Sequence, residues 1–195
     1  TPEQYAQVRT KEFKAWFGDW ENDPANASRV VDENGEPLVV WHGTESRAFN
    51  IFSLDKQRGV KGGTNGFLGK GFYFTSFIDY AFEYAGYNER RIKDYFLNIK
   101  NPYITKKADH VAPRNGGFPF AEDLGVDFDK VTETLTQQGY DGVIYKSAKY
   151  DEYNAFTPNQ IKSATNNNGA FDPNNDDIRY SKNTKGATDT TPTQV

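Results

Sequence analysis

The chain has 195 residues, no cysteine, two histidines and a net charge of −4. This length suits one compact domain. The lack of cysteine excludes disulfides, thiolate metal sites and cysteine nucleophiles, and two histidines alone argue against a histidine-rich metal site. The acidic balance argues against a protein whose main work is to bind phosphate backbones.

The composition also bears on the core and on the origin of the chain. The 15 phenylalanines and 12 tyrosines must supply much of the buried area. No apolar run is long enough to cross a bilayer, so we expect no membrane contact. The chain lacks an initial methionine, and its first residues do not resemble a signal peptide. We therefore expect a piece of a longer polypeptide, whose cellular location this sequence does not reveal.

The N-terminal segment carries apolar side chains at roughly helical spacing. The pattern predicts one amphipathic helix over residues 3–20 and a polar connection over 21–29. Residues 1–29 are thus predicted to pack on the core, residues 30–180 to form the main domain, and residues 181–195 to form a disordered tail. The apolar positions of the helix are Tyr5, Val8, Phe13, Trp16, Phe17 and Trp20.

Residues 30–41 carry the signature of a β-hairpin. Two short apolar runs, 30–31 and 38–41, flank Asn34 and Gly35, a residue pair typical of a tight turn. His42 follows directly and is predicted to end the second strand.

Residues 56–71 are rich in glycine and contain no acidic residue. Such a stretch can approach a phosphate closely through its backbone and cations, and a solvated surface loop explains the composition equally well. It is not a P-loop, because Gly71 follows Gly69-Lys70 where that motif has serine or threonine. It is not a dinucleotide fingerprint, because Phe74 stands where the third glycine would be and the tract leads into a strand. Its basic residues are Lys56, Arg58, Lys61 and Lys70.

Two tyrosines follow this stretch. Residues 72–75 predict a strand, and Ser76 with Asp79 three positions later predicts a capped helix that runs through Tyr84 to a glycine. Tyr73 on the strand and Tyr84 on the helix can then face each other across a slot that holds a flat heteroaromatic ring by stacking. Taken alone, each is equally well explained as a core aromatic.

The later elements are predicted from apolar runs and turn residues. Residues 105–123 are expected to be irregular. We expect strands at 95–99, 143–145, 152–156 and 160–162 and a helix at 126–138.

Three patches of the chain, in this order, resemble the histidine–tyrosine–glutamate ADP-ribosyltransferases, a class that includes diphtheria toxin and the poly(ADP-ribose) polymerases. They are His42-Gly43-Thr44, residues 69–84, and Glu152 with its neighbours. Residues 16–20 and 160–164, two further runs, resemble the ADP-ribosyltransferase domains of large polyvalent proteins of phages and mobile elements. The resemblance covers residues 10–180. It implies an α+β fold, an ADP-ribosyltransferase-like split β-sandwich with flanking helices, in which residues 30–180 form the catalytic domain.

The resemblance implies that NAD+ is the substrate and that no metal is needed. His42 would bind the adenosine ribose, and Tyr73 would stack on the nicotinamide. Glu152 would bind the 2′-hydroxyl of the nicotinamide ribose and stabilise the oxocarbenium-like state of bond cleavage. Asp151 is the rival carboxylate, but a one-residue slip of register points a side chain to the opposite face of the sheet.

The resemblance also implies a wider NAD+ site. The backbone of Gly43 would hold the carboxamide, Tyr84 would form the second wall, and Ala81 stands where some polymerases carry a serine that contacts the carboxamide. The glycines of the aromatic tract would bring the backbone close to NAD+. The implied NAD+-binding residues are His42, Gly43, Thr44, Gly71, Tyr73, Ala81 and Tyr84.

The acceptor is open at this point, and a protein side chain, a nucleic acid or a small molecule would fit. Arginine-modifying transferases usually carry Glu or Gln two positions before the catalytic glutamate, where this chain has Tyr150, so an arginine acceptor is disfavoured. The chain has no room for the regulatory helical domain of the nuclear polymerases, which favours transfer of one unit.

We therefore expect a mono-ADP-ribosyltransferase that serves as a bacterial or phage toxin or effector, with an immunity or antitoxin protein as a partner. The alternatives are an NAD+ glycohydrolase and a catalytically silent NAD+-binding or virion-structural module.

Overall fold

The structure is a computed structural model that describes residues 1–45, 49–54, 65–105, 119–147 and 149–179. Nine strands lie in these residues. They are β1 (Val40–Gly43), β2 (Asn65–Gly66), β3 (Gly69–Lys70), β4 (Phe72–Thr75), β5 (Ile92–Leu97), β6 (Pro102–Ile104), β7 (Gly142–Lys146), β8 (Asp151–Ala155) and β9 (Ile161–Ser163).

Seven of the strands form one mixed sheet in the order β6-β7-β8-β4-β1-β5-β9, and β2 pairs with β3 in a separate hairpin. All neighbours in the large sheet are antiparallel except β6 and β7. The sheet with its helices is an α+β fold, which confirms the predicted class. The helices are α1 (Pro2–Gln7), α2 (Lys11–Phe17), α3 (Ile78–Tyr84), α4 (Pro119–Leu124) and α5 (Val131–Gln137).

The large sheet is split at one point. Strands β1 and β4 pair only at Trp41 and Thr75, whereas every other neighbouring pair is in register over at least three positions. We call β1, β5 and β9 the β5 half of the sheet, and β4, β6, β7 and β8 the β8 half. The two halves are free to diverge on either side of their single shared position, and this is where a cleft opens.

The main core covers one face of both halves. It includes Phe74 and Tyr153 from the β8 half and Tyr95 from the β5 half. Successive side chains of a strand point to opposite faces of the sheet. Tyr73 and Glu152, each next in sequence to a core residue, therefore lie on the other face of the β8 half.

Two helices, not the single predicted one, occupy the N-terminal segment. The first helix ends at Gln7, and Thr10, whose backbone is extended, begins the second because its Oγ1 accepts a hydrogen bond from Phe13 N at 3.2 Å as the cap of α2. Aromatic side chains of the segment pack against β5 and the C-terminal segment. Phe13 is fully buried, with its ring 5.1 Å from that of Phe96 and 4.9 Å from that of Phe171.

The predicted cap of α3 is wrong. The helix begins at Ile78 with Phe77 as its N-cap residue, two positions after the predicted cap. The Ser76 hydroxyl accepts a hydrogen bond from Asp151 N at 2.9 Å, so it joins β4 to β8 and does not cap the helix. Thr75 Oγ1 accepts from Phe77 N at 3.1 Å instead.

The predicted hairpin at residues 30–41 is reduced to a turn with one bridge, between Val31 and Pro37. Asp32 shapes the turn, because its Oδ1 accepts hydrogen bonds from the amides of Asn34 and Glu36. Backbone hydrogen bonds flank this bridge, from Asp32 N to Glu36 O at 2.8 Å and from Leu38 N to Val30 O at 3.1 Å, and the regular strand begins only at Val40.

The other strands and helices lie close to the predictions, with shifted ends. The helix predicted at 126–138 begins as a 3-10 turn, Phe128–Lys130, before α5. The short helix α4 begins at Pro119, inside the stretch 105–123 that was expected to be irregular. Residues 106–118 of this stretch lie outside the described part. None of the described helices is long and apolar enough to span a bilayer.

Residues 165–179 are ordered despite their polar composition. Phe171 and Ile178 are buried, and the ammonium of Lys162 on β9 donates hydrogen bonds to the carbonyls of Asn175 and Asp177. These contacts attach the segment to the edge of the β5 half. The predicted domain boundaries stay predictions, and the predicted tail at 181–195 lies outside the described residues.

Candidate active site

A cleft with a volume of about 100 Å³ opens where the two halves of the sheet part. Small-molecule pockets are usually about 300–1,000 Å³, so this space suits one ring and not a whole dinucleotide. Six of the eight predicted site residues line it. The lining residues are Trp41, His42, Gly43, Tyr73, Phe74, Thr75, Tyr80, Ala81, Tyr84 and Glu152.

A wider and more open hollow lies beside α4 and α5, with a volume of about 680 Å³. Its lining contains Glu122, Asp127 and Glu133 and no aromatic ring. It offers neither stacking surface nor a buried reactive group, so we place the candidate site in the smaller cleft.

The peptide groups of Gly43 face the cleft. Thr44 N donates to Arg91 O at 3.3 Å, so Thr44 and Arg91, just beyond the ends of β1 and β5, are a hydrogen-bonded pair. Hydrogen-bonded and non-bonded pairs alternate along an antiparallel ladder, and Gly43 stands opposite Ile92 in the next, non-bonded position. Its N–H and C=O therefore point away from β5 and into the gap towards β4.

The peptide groups of Tyr73 face the same gap from the other side. On β4, Ser76 N donates to Asp151 O at 3.0 Å, so the same alternation turns the peptide groups of Tyr73 and Thr75 away from β8 and towards β1. A continuous ladder would pair Gly43 with Tyr73. The strands pair only at Trp41 and Thr75, so neither strand supplies that pairing.

The ring of His42 bridges the split. Its Nδ1 lies 2.7 Å from the carbonyl oxygen of Tyr73. A carbonyl oxygen can only accept, so Nδ1 carries the proton and Nε2 of the neutral ring is left as an acceptor. Burial lowers the pKa of His42, partly opposed by the same hydrogen bond, which keeps the ring neutral. It packs edge-on against Phe52 at 5.2 Å.

Gly43 is required by the contact between β1 and α3. A Cβ at this position would lie 1.8 Å from the carbonyl oxygen of Ala81, a distance no side chain can occupy. The helix therefore rests directly on the strand, and this contact presents Ala81 and Tyr84 to the cleft.

The ring of Tyr73 is held in one orientation. Its hydroxyl accepts a hydrogen bond from Leu68 N at 2.9 Å and donates one to Gly69 O at 2.6 Å. Burial raises its pKa well above the ordinary value of tyrosine, so the phenol is neutral. A Cβ on Gly66 would lie 2.3 Å from Cζ of the ring. Because the hydroxyl is fully used, Tyr73 offers the cleft a ring face.

Tyr84 lines the same cleft from α3 and is 55% exposed. Its ring stands edge-on to that of Tyr80 at 5.2 Å, and the two hydroxyls lie 3.1 Å apart. The two predicted walls thus border one cleft, with Tyr84 the more accessible of the two.

Glu152 is buried at 5% exposure on β8, opposite Thr75. No group in the described part of the chain forms a hydrogen bond or an ion pair with its carboxyl group. Burial raises its pKa to about 7. The rival Asp151 is ion-paired with Lys146 and does not line the cleft. The cleft therefore contains one carboxyl group whose hydrogen-bonding capacity is unused.

Sequence reasoning missed Tyr80, which also lines the cleft. Its ring stacks on that of Tyr150 at 4.5 Å, and burial, with the Glu152 charge as a lesser cause, raises its pKa. The available signal was its spacing of four residues from Tyr84, since such residues lie on the same face of a helix.

Two predicted NAD+-binding residues lie outside the cleft lining. Thr44 follows the end of β1, and Gly71 packs against β8, where an added Cβ would be 1.9 Å from Asn154 Oδ1. Their contacts with NAD+ stay predictions. Of the four basic residues considered for the phosphates, only Lys70 is described, exposed on β3; Lys56, Arg58 and Lys61 lie outside the described residues.

Within the described ranges, no cluster of three or more His, Asp or Glu side chains could hold a metal ion.

The protein-family model described as "ADP-Ribosyltransferase in polyvalent proteins" matches residues 32–171. This range is most of the chain, and it contains every residue that lines the cleft. No curated protein was found to match the chain.

Proposed function

The chain belongs to the family of ADP-ribosyltransferases in polyvalent proteins, and we propose that it transfers a single ADP-ribose unit from NAD+ to a macromolecular acceptor and releases nicotinamide. One observation carries this proposal. The unpaired carboxyl group of Glu152 shares a ring-sized cleft with the inward-facing peptide groups of Gly43.

Nicotinamide matches the cleft group by group. Its carboxamide has N–H groups to donate and one carbonyl to accept, and the Gly43 peptide groups offer the complementary pair. Its flat ring can stack between Tyr73 and Tyr84. Nε2 of His42 would accept a hydrogen bond from a hydroxyl of the adenosine ribose.

Glu152 would act on the bond that breaks. The C1′–N bond of NAD+ cleaves with its electron pair going to the nicotinamide nitrogen, so nicotinamide leaves neutral and positive charge develops on the ribose. An ionised Glu152 beside this charge stabilises the transition state more than the ground state. Its burial strengthens the interaction because little water screens it.

The acceptor then supplies the nucleophile that bonds to C1′ and loses a proton. A ring-lined rim beside Glu152, formed by Tyr80 and Tyr150, is the surface such an acceptor would meet. The proposal extends to a toxin or effector role, with an immunity or antitoxin protein that covers the cleft.

The test uses two forms of NAD+, labelled in the nicotinamide and in the adenylate phosphate, incubated with the protein and a cell lysate. We expect nicotinamide release together with transfer of the adenylate label to large molecules, one unit per site. Loss of the label on protease or on nuclease treatment identifies the acceptor. In Glu152→Gln both signals should fall about 10²–10³-fold, while the neighbouring Asp151→Asn should retain them.

The other outcomes identify the alternatives. Nicotinamide release without transfer to any large molecule would make the protein an NAD+ glycohydrolase. No release by the wild type, at any concentration of NAD+, would make it a silent binding or structural module. Labelled chains of several units would contradict the transfer of single units.

A further inference from the structure

Asn154 is a fully buried polar side chain that the proposed chemistry does not use. It lies on β8 two residues after Glu152, so both side chains point to the same face of the sheet. In the β4–β8 register it stands directly opposite Tyr73. It therefore lies on the strand that carries the Glu152 carboxyl group and beside Tyr73, one wall of the cleft.

The amide of Asn154 and the hydroxyl of Tyr73 bind the same short stretch of backbone. Asn154 Nδ2 donates to Leu68 O at 3.1 Å and approaches Gly69 O at 3.4 Å. The Tyr73 hydroxyl accepts from Leu68 N and donates to Gly69 O. Asn154 thus hydrogen-bonds to the turn between β2 and β3, and the same turn hydrogen-bonds to the phenol of Tyr73.

Glycine contacts show how closely this turn is fitted. Asn154 Oδ1 is buried and has no hydrogen-bond partner among the described residues, and an added Cβ on Gly71 would lie 1.9 Å from it. The Asn154 amide therefore leaves no room for a side chain at position 71. A buried acceptor that is left unpaired is unfavourable, so the residue is poorly explained as a stabilising element alone.

We infer that Asn154 is a positioning residue for Tyr73. Through the Leu68–Gly69 carbonyls it sets the orientation of the phenol and therefore of the ring face that the nicotinamide meets. It couples this wall of the cleft to the strand that bears Glu152. The inference rests on the proposed function and adds a residue that touches no substrate.

The test is a double-mutant cycle with Asn154→Ala and Tyr73→Phe in the full chain. The measured quantities are inhibition of NAD+ cleavage by free nicotinamide, kcat, KM and the melting temperature. If Asn154 acts through the Tyr73 hydroxyl, either change should weaken nicotinamide inhibition about tenfold, the equivalent of one or two net hydrogen bonds. The double variant should then be little worse than the single variants.

Ser28→Ala is the matched control. Ser28 is also a buried side chain that binds backbone carbonyls, since its single hydroxyl proton lies between Leu97 O at 2.7 Å and Ile99 O at 3.2 Å from Oγ, but it does not line the cleft. This variant should lower the melting temperature and leave nicotinamide inhibition unchanged. Should Asn154→Ala behave in the same way as the control, or should the effects of the two cycle variants simply add, the inference is overturned.

A measurement without turnover separates this inference from the proposed function. In protein with 13C-labelled tyrosine rings, the signal that disappears in Tyr73→Phe belongs to Tyr73. Asn154→Ala should shift or broaden that signal, and Ser28→Ala should not. If the wild type releases no nicotinamide, the proposed function fails while this signal still decides the inference; an unchanged Tyr73 signal in Asn154→Ala would reject it.

Discussion

Among the described residues, only two charged side chains are buried, Glu152 in the β8 half and Lys162 in the β5 half. The ammonium of Lys162 has two backbone carbonyls as partners, and three aspartates nearby, Asp172, Asp176 and Asp177, partly offset the effect of burial on its pKa. The carboxyl group of Glu152 has no such partner, and only burial acts on its pKa.

This difference suits a structural role for Lys162 and the proposed chemical role for Glu152. A buried charge is unfavourable unless it is paired. Lys162 meets that condition and thereby attaches residues 165–179 to the sheet. Glu152 does not meet it among the described residues, and under the proposed function its partner is the positive charge that develops on the ribose. Changes at the two sites should therefore have opposite consequences.

The largest expected effect is the loss of turnover in Glu152→Gln. Because the amide cannot stabilise a developing positive charge, we expect kcat for nicotinamide release to fall about 10²–10³-fold. The dissociation constant for NAD+, measured by calorimetry, should change little, since the loss concerns the transition state. A large rise in that constant with kcat unchanged would contradict the role of Glu152.

The next effect concerns pH. The pKa of Glu152 is raised to about 7 in the folded protein from 4.5, so the stability associated with this group is fully present below pH 4.5 and is lost as the pH rises through 7. Glu152→Gln should therefore be more stable than wild type at pH 8, by up to about 3 kcal/mol, and equal to it at pH 4. Urea unfolding at both values measures this.

The same titration predicts the pH dependence of activity. Only the ionised carboxylate stabilises the ribosyl cation, so kcat/KM should rise with pH and level off above about 7. A flat profile between pH 5 and 8, with the protein folded throughout, would show that Glu152 is not the titrating group.

Lys162→Met should give the reverse of Glu152→Gln. The two carbonyls lose their donor, and we expect the free energy of unfolding to fall by about 1–3 kcal/mol. Amide exchange should increase at Ile178, whose N–H donates to Asn50 O at 2.8 Å. The kcat for nicotinamide release should stay at the wild-type level below the melting temperature. A loss of kcat in the folded variant would remove the distinction between the two buried charges.

The smallest effect should come from the tyrosine pair on α3. Tyr80→Phe removes the hydrogen bond to the Tyr84 hydroxyl, which leaves the exposed wall of the cleft less ordered. We expect KM for NAD+ to rise about 2–10-fold with kcat little changed. Tyr84→Phe breaks the same bond, keeps its ring and serves as the matched variant. Unequal effects of the two substitutions would indicate a separate role for the Tyr80 hydroxyl.

The elements that sequence patterns predicted poorly are those in which a side chain bonds to a distant part of the chain. Ser76 has the spacing of a helix cap but binds the backbone of β8. A local pattern contains no information on such a competing partner, so the start of α3 lies beyond the predicted cap.

The candidate site was predicted in part for the same reason. His42, Gly43, Tyr73, Ala81, Tyr84 and Glu152 all line the cleft. Tyr80 was missed because nothing local distinguishes it from a surface tyrosine, and Asn154 because its partners are more than 80 residues away in sequence. Gly71 was assigned to NAD+ from a motif; it lies against β8, and its contact with NAD+ stays a prediction.

The sequence by itself determined the aromatic core and most strands and helices, because residue type and spacing encode strand alternation and helix periodicity; its resemblance to a known family implied the α+β class and the histidine, tyrosine and glutamate positions. Only the tertiary structure decided that β1 and β4 pair at one position, that the Gly43 peptide groups face the resulting gap, and that Glu152 is buried there without a partner. These properties depend on which strands meet and which side chains exclude water, and both are set by contacts between residues far apart in the chain.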